Sequence, residues 1–146
     1  MAWEPMQIEP PEVLEFQISG EDEPQQCPLV FTNTNPIAAV AFKVKTTKPK
    51  RYLVRPNQGL VMPGGSETST ITLLAAEARV IFEEHAQTGV WDDSNKFLVQ
   101  TVAVDGDFFN TFNQSGPKEQ TNMLTDLWSN ISKQKAVKQK KLRVAF

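Results

Sequence analysis

The run FKVKTT, Phe42 to Thr47, alternates apolar and cationic side chains and then ends in two threonines. A strand sends successive side chains to opposite faces, so Phe42 and Val44 go to one side and Lys43 and Lys45 to the other. Such a segment requires a sheet with a core on one face and water on the other. Similar short β-rich runs recur along the chain. MQIEP is short and alternating, and EVLEFQI places Val13, Phe16 and Ile18 in an imperfect period of two. CPLVFTNTN ends in a polar turn cluster, and IAAVAF leads directly into FKVKTT. NKFLVQTVAV and KLRVAF read as later strands. KPKRYLVRPNQG carries proline towards both ends, so a strand inside it is short. LVMPGGSETSTITLL reads as a hairpin around a Pro-Gly-Gly turn. Many short strands between turn signals predict an all-β sandwich.

Helical signals are few. KEQTNMLTDLWSNI predicts a short helix around Asn122–Ile131, with Met123, Leu124, Leu127, Trp128 and Ile131 on one face. Leu127 and Trp128 are expected to pack on the sandwich. LLAAEARVIFEEHAQ reads either way: Ala, Glu and Arg favour a helix, whereas ARVIF also suits a strand. SKQKAVKQKK reads as a solvated approach to the last strand. The 146 residues form one predicted domain, 1–146, with enough chain for a real core.

Enzymatic chemistry finds little support. His85 is the only histidine and Cys27 the only cysteine, so neither a zinc site nor an internal disulfide is expected. Cys27 is expected to pack as a small hydrophobe and His85 to lie on the surface. The PGG stretch is a turn signal and lacks the spacing of a phosphate-binding loop. No cofactor, no metal and no catalytic residue is predicted. The apolar runs are too short to span a bilayer, and the N-terminus lacks the basic and apolar regions of a secretory signal. A single cysteine fits a reducing compartment.

Charge is strongly segregated although the net charge is only -2. Residues 1–41 hold seven acids and no bases; 42–57 hold six bases and no acids; 133–143 hold six more bases and no acids. Alternation in NKFLVQ buries Phe97 and Val99 and turns Lys96, Leu98 and Gln100 outward. Beside FKVKTT, this strand would complete a mixed apolar and cationic surface, suited to a peptide carrying an aromatic and several acids. A solvated face is the plainer reading of such charge runs. Nucleic acid is disfavoured: the isoelectric point is about 5.4, and Tyr52 is the one aromatic in the segment that could stack on a base.

The segment AFKVKTTKPKRYLVRPNQGLVMPGG closely resembles the signature of the major sperm protein (MSP) domain, in the version found in VAMP-associated proteins (VAPs). IEPPEVLEF, VFTNTNP, NKFLVQ and KKLRVAF extend the resemblance over essentially the whole chain. It implies an immunoglobulin-like seven-stranded β-sandwich with one or two short helices. It also implies a non-enzymatic adaptor on the cytosolic face of the endoplasmic reticulum. The family binds FFAT motifs, short two-phenylalanine peptides with an acidic flank, and so recruits lipid-transfer and tethering proteins to membrane contact sites. Carried over by position, Lys43, Lys45 and Arg55 attract the acidic flank, and Thr46 and Thr47 bond the core acid. Val54 and Asn57 line a small pocket, and Lys96, Leu98 and Lys141 surround the inserted aromatic. Animal VAPs usually have Met where this chain has Leu98. Residues 74–94 and 104–121 are longer than the family's usual connections, and DGDFFNTF itself resembles an FFAT core, although Phe108 and Phe109 are expected to pack on the domain. Anionic lipid head groups and a second copy of the chain are further candidate partners. The family's coiled coil and membrane anchor have no counterpart in these residues, which suits an excised domain or an unanchored protein. The alternative within the family is a structural protein that self-assembles into a cytoskeletal polymer.

Overall fold

The computed structural model describes residues 6–20, 22–131 and 137–146. Two sheets face each other. One has four strands in the order β1-β3-β7-β5, the other five in the order β2-β9-β8-β4-β6. The strands are β1 (Met6–Glu9), β2 (Val13–Glu15), β3 (Gln25–Asn33), β4 (Val40–Thr46), β5 (Tyr52–Arg55), β6 (Gln58–Val61), β7 (Ser66–Leu73), β8 (Lys96–Ala103) and β9 (Lys138–Ala145). All pairs are antiparallel except β2 with β9. The two-sheet β-sandwich expected from the sequence is therefore present, among the described residues with nine strands rather than seven and three helices rather than one or two: α1 (Ala75–Thr88), α2 (Gly106–Asn113) and α3 (Pro117–Asn130).

The core between the sheets is built from the inward residues of the alternating runs. Leu29, Phe31, Val40, Phe42, Ile71, Phe97, Val99 and Leu142 are all essentially inaccessible. Phe31 and Phe42 stack with ring centroids 4.2 Å apart across the core. Gly59 lies opposite Phe42 in the β4–β6 ladder, and a Cβ there would come within 2.6 Å of the Phe42 ring. Cys27 packs at the core margin, where burial pushes its thiol pKa up. In EVLEFQI the inward phase is Leu14, Phe16 and Ile18, a regular period of two; Val13 is half-buried and out of phase with it. The sequence reading had placed Val13 in that set.

The expected hairpin around Pro63–Gly65 does not form. β6 pairs with β4 in one sheet and β7 with β3 and β5 in the other, so the turn crosses between sheets. Asn33, buried at the end of β3, holds this corner. Its side-chain amide donates to the carbonyls of Ala38 (2.9 Å), Val61 (3.1 Å) and Met62 (3.2 Å), and its Oδ1 accepts from Asn35 N–H at 2.9 Å. Its own N–H donates to Gly65 O at 2.8 Å. The backbone groups freed at the crossing are thus satisfied by one side chain rather than by a ladder.

The ambiguous stretch resolves as α1, which turns Ala78 and Ile81 into the main core and ends at Gly89 in the left-handed conformation. α2 and α3 lie on the outer face of the five-stranded sheet. There Phe112, Leu124 and Trp128 cover Ala41, Leu60 and Val102 in a second core, and Phe108 and Phe109 pack against it. α2 begins at Asp105, whose side chain accepts from Phe108 N–H. α3 extends five residues upstream of the predicted start, with Pro117 in its first turn. The face read from sequence is the docked one, but its centre is Leu124 and Trp128, while Leu127 is half-buried. Leu124→Ala should therefore destabilise the fold by about 2–5 kcal/mol, as a core truncation. Leu127→Ala should cost about 1 kcal/mol or less, as expected near a surface. Chemical denaturation of the two variants checks the order; equal losses would contradict it.

Candidate functional site

β8 lies between β4 and β9, and the register stacks outward side chains into rows. Lys45 faces Leu98, and Leu98 faces Lys141. Directly opposed residues hold their Cβ atoms about 4.5–5.5 Å apart. A leucine is thereby flanked on both sides by lysine. The row towards the end of β4 sets Lys96 beside Arg143. Around these rows lies a groove of about 560 Å³, lined by Lys45, Thr46, Thr47, Lys96, Phe97, Leu98, Lys141, Leu142 and Arg143. Among the described residues no acidic side chain lines it. An apolar floor with a cationic rim accommodates an aromatic side chain and favours an anionic surrounding chain.

Thr46 and Thr47 hold the groove's end. Thr47 N–H donates to Lys96 O at 3.0 Å, and Lys96 N–H donates to Thr47 Oγ1 at 3.1 Å. The Thr47 hydroxyl donates to Ser94 O at 3.2 Å, with Lys96 O at 3.4 Å. Thr46 Oγ1 donates to Lys96 O at 3.2 Å and accepts from Lys48 N–H at 3.1 Å. Each hydroxyl has one proton, already engaged with a carbonyl. A carboxylate entering here would draw that proton from a partly exposed backbone bond, whose carbonyl water can then satisfy.

Of the ten residues assigned from sequence, six line the groove: Lys45, Thr46, Thr47, Lys96, Leu98 and Lys141. Lys43 lies one row away, opposite Gln100. Val54, Arg55 and Asn57 are not in the groove lining. Val54 is half-buried against the main core, on β5 of the other sheet. Arg55 and Asn57 are exposed. Asn57 O accepts from Val44 N–H at 2.8 Å, which puts it along the β4 edge away from β8. Arg143 was missed, although period two counted on from Lys141 reaches it.

The basic segment is also divided in a way its one-dimensional charge conceals. Arg51 does not belong to the exposed surface. Its Nε donates to Glu77 Oε1 and its Nη1 to Asp92 Oδ2, each at 2.9 Å, and Nη1 also reaches Asn95 Oδ1 at 3.2 Å. Its side chain is only 12% exposed. Tyr52 OH donates to the same Asn95 Oδ1 at 3.0 Å, and burial drives the Tyr52 pKa strongly up. Arg51 thus ties α1 and the 89–95 connection to β5. By contrast, Lys43, Lys45, Lys96 and Lys141 have no acidic partner within salt-bridge distance among the described residues. Lys133 and Lys135, counted in the second basic block, fall outside the described residues. His85 stacks on Trp91 at 3.6 Å between ring centroids. Among the described residues no helix is long and apolar enough to cross a membrane, and no cluster of His, Cys, Asp and Glu could hold a metal ion.

Residues 5–118 match the family model of the MSP (major sperm protein) domain. Vesicle-associated protein 1-3 of Arabidopsis thaliana is 42% identical over 78 residues, covering 53% of this chain and 29% of the relative. Vesicle-associated membrane protein-associated protein A of Rattus norvegicus is 34% identical over 99 residues, 65% of this chain and 34% of the relative. The chain therefore spans about a third or less of the length of these curated relatives. The solved structure of WR4, a C. elegans MSP family member, superimposes with a TM-score of 0.54 at 18% identity, covering 97% of this chain and 98% of that one. It shares the fold.

The Arg51 network makes stability pH-dependent. Burial opposes ionisation of Asp92, but hydrogen bonds from Ser94 and Arg51 outweigh it and hold the pKa at about 2, against an ordinary 3.8. Because the folded value is the lower one, the contribution is complete above the ordinary value and disappears as pH falls through the folded one. It is on the order of 2 kcal/mol. Asp92→Asn should be less stable than the parent by about that amount at neutral pH. Denaturant titrations should show the gap closing as pH falls from 3.8 to about 2. A gap that stays constant with pH would contradict the ion pair's role.

Proposed function

The chain belongs to the major sperm protein domain family, and on that premise we propose that it is a non-enzymatic adaptor domain that binds acidic, phenylalanine-containing peptides of the FFAT type. The observation that carries this reading is the Lys45–Leu98–Lys141 row across β4, β8 and β9. The apolar centre receives the aromatic ring, and the flanking ammonium groups face the ring and the acids around it. Thr46 and Thr47 offer hydroxyls to an acid of the peptide core. Arg55, with Lys43, extends the cationic surface for the upstream acidic flank, and Val54 and Asn57 serve the small residue beside the core. In the whole protein this binding would recruit lipid-transfer and tethering partners to the endoplasmic reticulum at membrane contact sites, with the domain on the cytosolic face.

Binding energy divides between two sources. The inserted aromatic supplies most of the affinity, because a ring in a desolvated pocket is the usual hot spot. The exposed cations contribute about 0.2–1 kcal/mol per pair, mainly by accelerating encounter. Raising salt from 0.1 to 1 M shortens the Debye length from about 10 to about 3 Å, which suppresses the second term and spares the first.

Lys96→Asp combined with Leu98→Asp should abolish binding of an acidic two-phenylalanine peptide in titration calorimetry. The melting temperature should stay nearly unchanged, since both side chains face outward. Unaltered affinity in a folded double variant would refute the site. Lys43→Glu with Lys45→Glu should leave a neutral-flanked peptide bound while erasing the advantage of the acidic-flanked one at low salt. Equal affinity of the two peptides for the parent protein at low salt would reduce the basic segment to a solvated face.

A further inference from the structure

α3 carries more apolar surface than the sheet covers. Leu124 and Trp128 are 5% and 7% exposed, packed with Ala41, Leu60 and Val102. Met123, Leu127 and Ile131 flank them at four-residue spacing and are only half-buried. Residues four apart are neighbours on a helix, so these three form a continuous stripe about 12 Å long. Phe108 of α2, also half-buried, lines the same cleft as the stripe. The cleft measures about 570 Å³ and is completed by Val102 and Ala103 at the end of β8. Val102 is four residues beyond Leu98, about 14 Å along the strand. The cleft and the cationic groove share no lining residue.

The charge around the cleft has the opposite sign to that of the groove. Asp126 and Asn130 line it and are exposed. Glu119 lies one turn before Met123 on the same side of α3, and Asp107 precedes Phe108 in the first turn of α2; both are exposed. Residues 104–131 hold four acids and one base, Lys118. Lys118 shares its side of α3 with Thr125, which bonds Gln58 of β6 at 3.1 Å, away from the cleft. Asp107, Glu119 and Asp126 have no cationic partner within salt-bridge distance among the described residues. Contiguous exposed apolar surface with a polar rim marks an interaction site. A stripe at helical spacing packs ridge into groove with another helix. A second copy of this surface would oppose its own Asp126 and Glu119, whereas a cationic helix complements them. We propose that the α2–α3 cleft is a docking site for an amphipathic helix of a partner protein that carries lysine or arginine beside its apolar stripe. The proposal is independent of the peptide reading of the groove, and it gives the domain a second surface of opposite charge.

The probe is a synthetic helix of about five turns, with leucine on one face and lysine along both flanks of that face. Its counterpart carries glutamate for every lysine. Affinity is read from the Ile131 methyl signals in an NMR titration, so that an acidic helix resting on the cationic groove is not counted. The lysine helix should shift Met123, Leu127 and Ile131 together and bind about tenfold or more tightly than the glutamate helix. Leu127→Ala should weaken the lysine helix by about tenfold, as loss of a central apolar contact. Asp126→Lys should weaken it by up to about fivefold, the scale of an exposed ion pair, and narrow the gap between the two helices. Asp126 is exposed, so this second variant keeps the test intact if the first folds poorly. Equal affinity of the two helices at Ile131, or no shift there with either, would overturn the proposal. Sedimentation of the protein alone addresses the remaining occupant. A concentration-dependent dimer that Leu127→Ala abolishes would assign the cleft to a second copy and overturn the partner helix.

Discussion

The surface depends on the register in which β8 lies between β4 and β9. A strand shifted by one residue exchanges its two faces. Such a slip of β8 would bring Lys96 and Leu98 to the core face and turn Phe97 and Val99 towards water. Burying one unpaired ammonium costs far more than any single groove contact returns. β4 and β8 each carry an alternation whose inward members are almost completely buried, and in β9 Leu142 is wholly buried beside Phe97. Core packing therefore fixes the cationic row without any bond between the cations themselves.

The second organising element is the separation of structural from free cations. Arg51 lies among lysines in the sequence but faces Glu77 and Asp92 in space. A guanidinium suits that place, because its planar fork can serve two carboxylates and an amide at once. In the groove row the cations are Lys45 and Lys141, which have no acidic partner within salt-bridge distance among the described residues. The helix-bearing segment after β7 supplies both acids, so the same stretch that closes one end of the sandwich removes one cation from the exposed surface. Asn33 plays the corresponding part at another corner, where one buried amide replaces the ladder that the inter-sheet crossing lacks.

Much of this was legible in the sequence. Alternation in FKVKTT and NKFLVQ gave the inward and outward residues correctly, and the prolines bounding KPKRYLVRPNQG confined β5 to four residues. What period two alone does not encode is which sheet a strand joins. The Pro63–Gly65 turn looks like a hairpin because its flanks are strands, and only the tertiary bonds from Asn33 and Asn35 reveal a crossing. The helix α1 stayed ambiguous because Ala and Glu compete with Val, Ile and Phe inside one short window. Arg51 could not be told from its basic neighbours, since its partners lie 26 and 41 residues away. Trp128 was recognised as a packing residue, but that its N–H finds no partner among the described residues is a property of the packed state.

Backbone amide chemical-shift mapping tests the central claim most directly, with an acidic two-phenylalanine peptide titrated into the protein at moderate salt. The account predicts that the largest shifts centre on Lys45, Thr46, Leu98 and Lys141 and fade across β1, β3 and β7 of the opposite sheet. Shifts centred on α1 or on the outer face of the four-stranded sheet, with the Lys45–Leu98–Lys141 row unchanged, would contradict it.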